Sequence, residues 1–185
     1  MITSSDPHPD RTVPTGEDLA FAGVARLGEL LRAGEVTPRQ LVELYLARIE
    51  RLDPQLNAFV SVRAEAALAE ADVAHERLRA GESGPLLGVP VAVKDNVDIA
   101  GEVTGHGTNA NETPATTDAE VVRRLRAAGA PMLGKTALPE LAMWGHFTES
   151  ETHGSTRNPW NPERATGGSS GGSAAAARVD TPSLE

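Results

Sequence analysis

The residues with the clearest chemical potential form one loop, Gly167-Gly168-Ser169-Ser170-Gly171-Gly172-Ser173, which runs directly into Ala174–Ala177. Glycine allows close approach of main chains, and each serine hydroxyl can donate and accept a hydrogen bond. The alanines predict a tightly packed helix after the loop. Main-chain N–H groups and hydroxyls at a helix start suit an anion or a developing oxyanion. A flexible Gly/Ser linker and a phosphate-binding loop are the alternatives.

A lysine at a strand exit is the second chemical candidate. The segment Gly88-Val89-Pro90-Val91-Ala92-Val93 predicts a buried strand that delivers Lys94-Asp95-Asn96 at its end. If Lys94 is buried against the glycine-rich loop, desolvation lowers its pKa from about 10.4 and makes the amine a usable base. Taken alone, Lys94 is more simply a surface lysine.

One further segment, Gly129–Thr136, matches the phosphate-loop pattern G-x-x-x-x-G-K-[ST] letter for letter. That motif requires a strand before it and a helix that opens at the lysine. Here a predicted helix precedes the segment and its middle is strand-like. We therefore predict no nucleotide site at this segment.

Composition excludes several classes of function. The chain has 185 residues, 39% of them hydrophobic, which fits one globular domain. Its net charge of −9 argues against a nucleic-acid partner, and no apolar run is long enough to predict a membrane span. The absence of cysteine fits the cytoplasm. The five histidines form no H-x-x-x-H type pair, so we predict no metal.

The spacing of apolar residues predicts an α/β protein in which helices cover a sheet. Val89–Val93 and Ala130–Leu133 are expected to be neighbouring core strands. The polar residues 1–17 predict a disordered lead-in. Helices are predicted over 17–33, from 38 to about 54, over 63–80 and over 118–128. In the last of these helices, Val121, Val122 and Leu125 are predicted to face inward. A strand is predicted over 58–62, a loop over 101–117, a helix start that runs into a turn over 138–148, and irregular structure over 150–164.

Four stretches, in order and separation, resemble the amidase signature family: residues 88–96, 128–136, 158–160 and 167–177. The resemblance covers residues 18–177 and implies the N-terminal part of the amidase signature fold, a mixed sheet covered by helices. The family hydrolyses amides with a Ser–cis-Ser–Lys triad. By position, the resemblance makes Lys94 the lysine and Ser169 the bridging serine after a cis peptide from Gly168. It therefore implies that Lys94 lies close to Ser169. The remaining loop residues would support the substrate and oxyanion region: Gly167, Ser170, Gly171, Gly172 and Ser173.

The resemblance further implies a small-molecule amide substrate and no cofactor. The family's nucleophilic serine lies in a Gly-Gly-Ser segment well after the bridging serine, and the tail 178–185 does not resemble that segment. Ser183 comes too early and follows no glycine. We therefore expect a truncated amidase without its nucleophile, inactive as it stands. Alternatives are a non-catalytic binding module and the amidotransferase subunit that supplies ammonia for tRNA-linked glutamine; residues 138–144 resemble stand-alone amidases more. The oligomeric state stays open.

Overall fold

The structure is a computed structural model that describes residues 16–143 and 146–177. Its helices are α1 (Gly16–Phe21), α2 (Gly23–Ala33), α3 (Pro38–Leu56), α4 (Ala64–Arg79), α5 (Glu120–Ala128) and α6 (Gly171–Ala177), with a 3₁₀ turn at Glu140–Ala142. Its strands are β1 (Phe59–Val62), β2 (Val91–Lys94), β3 (Met132–Thr136), β4 (Glu149–Ser150), β5 (Gly154–Ser155), β6 (Arg157–Asn158) and β7 (Asn161–Ala165). Residues 1–15 of the predicted lead-in and the tail 178–185 lie outside the described residues. Helix α1 begins inside the predicted lead-in.

The central sheet has three strands in the order β1-β3-β2. Strand β2 runs parallel to β3, and β1 runs antiparallel to it, so the predicted mixed sheet is confirmed. The two predicted core strands are indeed neighbours, although both β2 and β3 begin two residues further along the chain than predicted. Because Gly134-Lys135-Thr136 belong to this buried strand, their main chain is committed to the sheet and cannot wrap a phosphate.

Helix α3 begins with the capping box that the sequence predicts. The Thr37 hydroxyl accepts from the Gln40 N–H, and the Gln40 side chain accepts from the Thr37 N–H. The helix continues past its predicted end and carries Pro54 inside its last turn. Asn57, in the left-handed conformation with φ 54°, then ends it.

Two predicted segments differ from the structure. The predicted helix over 17–33 is divided into α1 and α2, because Gly23 adopts a φ of 73° that interrupts the helical path. The segment 150–164, predicted to be irregular, contributes to two small sheets, β4-β5 and β6-β7. These strands lack apolar alternation, and main-chain bonds between the buried Thr148, Thr156 and Thr166 connect them. The predicted loop over 101–117 is observed.

Helices cover both faces of the sheet. Helices α3 and α4 bury Val42, Ala67 and Ala71 against Leu133 on one face. On the other face, Val122 of α5 packs with Val93, Met132 and Ile99. The inward prediction for Val121 is wrong, because that side chain is 51% exposed while its neighbour Val122 is buried. Among the described helices, none combines the length and the apolar character that crossing a bilayer would require.

Candidate active site

The structure brings the two predicted catalytic side chains together. Lys94 is the last residue of β2, and its Nζ donates a hydrogen bond of 2.7 Å to the Oγ of Ser169. Ser169 lies in the loop before α6, 75 residues further along the chain, and the Gly168–Ser169 peptide is cis. The predicted proximity is confirmed, and the roles of base and bridging serine remain predictions.

The surroundings of Lys94 favour the neutral amine. Its side chain is partly buried, and this burial lowers its pKa below the ordinary lysine value. Among the residues that the structure describes, no carboxylate forms a salt bridge with Lys94. Lys94 therefore accepts a proton from a neighbouring hydroxyl more readily at neutral pH than a solvated surface lysine does, because a larger fraction of its amine is neutral.

Thr148 anchors both sides of the glycine-rich loop. Its hydroxyl donates to the Gly167 carbonyl and accepts from the Gly171 N–H, each at 3.0 Å. A Cβ on Gly171 would lie 2.1 Å from this hydroxyl oxygen, so only glycine fits beside it. Sequence analysis missed Thr148, because no local pattern marks a residue that acts across 23 positions.

Gly172 allows α6 to start directly against the sheet. Its N–H donates to the Ala137 carbonyl at 3.2 Å, and a Cβ there would lie 2.4 Å from the Ala137 nitrogen. The N–H groups of Gly171 and Gly172 therefore already have protein acceptors. These two N–H groups fix the loop to its surroundings, and the predicted support of a substrate and oxyanion region by the loop stays a prediction.

The two other serines of the loop differ in their surroundings. The Ser173 hydroxyl lies 2.6 Å from the Thr136 hydroxyl, which connects α6 to β3. Ser170 is exposed, and its carbonyl accepts from the Ala174 N–H at 3.0 Å. In the described part of the chain, no hydrogen bond involves the Ser170 hydroxyl.

Within residues 16–143 and 146–177, no three metal-ligating side chains come together. On the face of β2 that Lys94 occupies, the contact with Ser169 is surrounded by an amine, hydroxyls and glycine main chain. This set can move a proton between oxygen and nitrogen.

Comparison with known proteins agrees with this geometry. A family model described as Amidase matches residues 40–179. The chain belongs to the amidase signature family. AmiB2 of Mycobacterium tuberculosis, a putative amidase by name, is 58% identical over 159 residues, which are 86% of this chain and 34% of that protein. One glutamyl-tRNA(Gln) amidotransferase subunit, from Halorhodospira halophila, is 50% identical over 154 residues, which are 83% of this chain and 32% of that protein.

Solved amidase structures have the same fold over this region. Native peptide amidase from Stenotrophomonas maltophilia superposes with a TM-score of 0.76 at 40% identity, covering 83% of this chain and 33% of the peptide amidase. A bacterial aryl acylamidase of the amidase signature family gives 0.76 at 29% identity, over 85% and 33% of the two chains. The chain thus spans about a third of the length of the relatives that it matches.

Proposed function

We propose that this chain supplies the base and the proton relay of a carboxamide hydrolase. The observation that carries the proposal is the 2.7 Å contact between Lys94 Nζ and Ser169 Oγ. A serine hydroxyl attacks an amide only when a base removes its proton. In the proposed reaction, neutral Lys94 accepts the Ser169 proton while Ser169 accepts the proton of a nucleophilic serine.

Proton return completes the proposed cycle. The nucleophilic oxygen bonds to the amide carbon, and the carbon–nitrogen bond breaks as the leaving nitrogen receives a proton from Lys94 through Ser169. Water then attacks the acyl ester, and its proton follows the same route to Lys94. The ester carbon–oxygen bond breaks, the serine oxygen regains a proton from Lys94 through Ser169, and the carboxylic acid leaves. The substrate class is a small-molecule carboxamide, and the products are a carboxylic acid and ammonia or an amine.

The nucleophile is a separate part of the proposal. None of the residues that resemble the family here corresponds to its Gly-Gly-Ser nucleophile segment. We infer that residues 1–185 by themselves do not hydrolyse amides, because hydrolysis requires that serine in addition to Lys94 and Ser169. Incubation of the purified chain with an aryl amide should release no aryl amine above the buffer rate. Turnover that both Lys94→Ala and Ser169→Ala abolish would contradict this inference.

A chimera tests the roles of the two residues directly. Residues 18–177 replace the corresponding third of Stenotrophomonas maltophilia peptide amidase, which keeps its own remaining two thirds. We expect the chimera to hydrolyse the parent's amide substrate, and Lys94→Ala or Ser169→Ala to lower its kcat about 10²–10⁴-fold. Arg123→Ala, which removes an exposed cation of α5, is the control that should retain it. An active Lys94→Ala chimera would refute the proposal.

A second candidate is the amidotransferase role, favoured by the 50% identity to the amidotransferase protein of Halorhodospira halophila. In that case the hydrolysed amide would be glutamine and the useful product ammonia. A chimera built on that protein, with ammonia release from glutamine as the readout, distinguishes the two candidates. Higher activity on aryl or peptide amides than on glutamine, in both chimeras, would favour the stand-alone amidase.

A further inference from the structure

The chain contains only two lysines, against fifteen arginines, and both lysines lie at the junction of β2 and β3. Lys94 pairs with Thr136 in the sheet register, and Lys135 pairs with Val93. Because side chains alternate along a strand, the two lysines point to opposite faces. One face carries the contact of Lys94 with Ser169, and the other carries Lys135.

Lys135 is buried, with 1% of its side chain exposed, and its Nζ contacts three acceptors. Its Nζ lies 3.1 Å from a carboxylate oxygen of Asp95 and donates to the Val103 carbonyl at 2.8 Å and to the Thr104 hydroxyl at 2.7 Å. Three acceptors match the three N–H bonds of an ammonium group. Lys135 is therefore a fixed cation beneath the sheet, not a second base.

Asp95, the residue after Lys94, is held at every polar atom. Its N–H donates to the Thr136 carbonyl and its carbonyl accepts from the His106 N–H, both at 3.0 Å. Its carboxylate contacts Lys135 and accepts from the Gly105 N–H at 3.2 Å. Asp95 thus connects the segment that follows β2 to Thr136 and Lys135 of β3.

A buried ion pair of this kind contributes little stability compared with an apolar pair of similar volume. The contacts of Lys135 with Asp95, Val103 and Thr104 nevertheless restrict where the Asp95 carboxylate can lie. We propose that the Asp95–Lys135 ion pair positions Lys94: by locking Asp95 on one face of the sheet, it sets the direction in which Lys94 leaves the other face towards Ser169. The catalytic meaning of this positioning rests on the proposed function. The position itself does not.

The charge-neutral double variant Asp95→Asn/Lys135→Met tests the proposal. It removes one charge of each sign and leaves Lys94 as the only lysine. The purified 185-residue chain is acetylated at a series of pH values with a trace of reagent, and Lys94 labelling is quantified by mass spectrometry. We expect the pH midpoint of labelling to rise towards that of an ordinary lysine, because an unguided side chain regains solvent. An unchanged midpoint in a folded double variant would overturn the proposal.

The single variant Asp95→Asn separates positioning from charge. Loss of a nearby negative charge alone would lower the midpoint of Lys94, because its cation would lose a favourable interaction. Loss of positioning would raise it. The asparagine keeps an oxygen for the Gly105 N–H and for Lys135, so this variant carries the test if the double variant does not fold. A lowered or unchanged midpoint in folded Asp95→Asn overturns the proposal.

A matched control and the chimera complete the experiment. Glu120→Gln, which removes an exposed carboxylate on α5, should leave the Lys94 midpoint unchanged. A raised midpoint together with an inactive chimera would support positioning and refute the proposed function. An unchanged midpoint together with an active chimera would refute positioning by the Asp95–Lys135 ion pair and support the proposed function.

Discussion

Replacement of Gly172 by alanine tests whether the glycine-rich loop is a close-packed support. An added Cβ would lie 2.4 Å and 2.6 Å from the Ala137 nitrogen and oxygen and 2.7 Å from the Ala58 oxygen. All three atoms are main chain, so no side-chain rotation relieves the contacts. Helix α6 must move away from the sheet, and the 3.2 Å bond from Gly172 N–H to Ala137 must lengthen.

The magnitude follows from opposing contributions. Overpacking of a tight site costs about 1–3 kcal/mol, and the weakened hydrogen bond adds about 1 kcal/mol. The better helix propensity of alanine returns up to about 1 kcal/mol. We therefore expect Gly172→Ala to lower the free energy of unfolding by about 1–3 kcal/mol.

Gly167→Ala is the matched control, because nothing lies within 4 Å of a Cβ at that position of the same loop. It should change the free energy of unfolding by less than about 0.5 kcal/mol, as surface substitutions do. Urea denaturation followed by far-ultraviolet circular dichroism measures both variants. If Gly172→Ala destabilises no more than Gly167→Ala, the close-packed interpretation of this loop is wrong.

Two further predictions concern stability. Thr148→Val leaves the buried Gly171 N–H without its acceptor and should lower the free energy of unfolding by about 1–3 kcal/mol. Thr148→Ser keeps the hydroxyl and should retain most of the wild-type free energy of unfolding. Thermal denaturation compares the two variants. Because burial lowers the pKa of Lys94, the unfolded chain binds more protons than the folded one between the folded and the ordinary lysine pKa. Stability of the wild type relative to Lys94→Met should therefore rise with pH across that window in urea titrations, and a pH-independent difference would contradict the burial.

The local parts of the site could be predicted from the sequence. The apolar run before Lys94 predicts a strand that ends at the lysine, and the glycines and serines of 167–173 predict a loop that presents hydroxyls. The resemblance to a family then connects the two segments. The contact of Lys94 with Ser169 follows from that connection and not from any local pattern.

The supporting contacts could not be predicted, because they join segments that are distant in the chain. Thr148 accepts a hydrogen bond from Gly171, and the short polar strands between the two residues in the chain have no apolar periodicity that would predict this contact. Lys135 occurs in a sequence that matches a phosphate loop, and only its place in a buried strand shows that it pairs with Asp95. Gly23 and Gly28 lie in one continuous apolar pattern, yet only Gly23 adopts the positive φ that breaks the helix.

The most direct test of the central claim is a double-mutant cycle on kcat in the peptide amidase chimera. Lys94 and Ser169 are proposed to move one proton as a unit, so each single alanine variant should lower kcat about 10²–10⁴-fold. The double variant should then be no slower than the slower single variant, because residues that act as a unit are not additive. Losses that multiply in the double variant, or a single variant with the chimera's full kcat, would contradict the account.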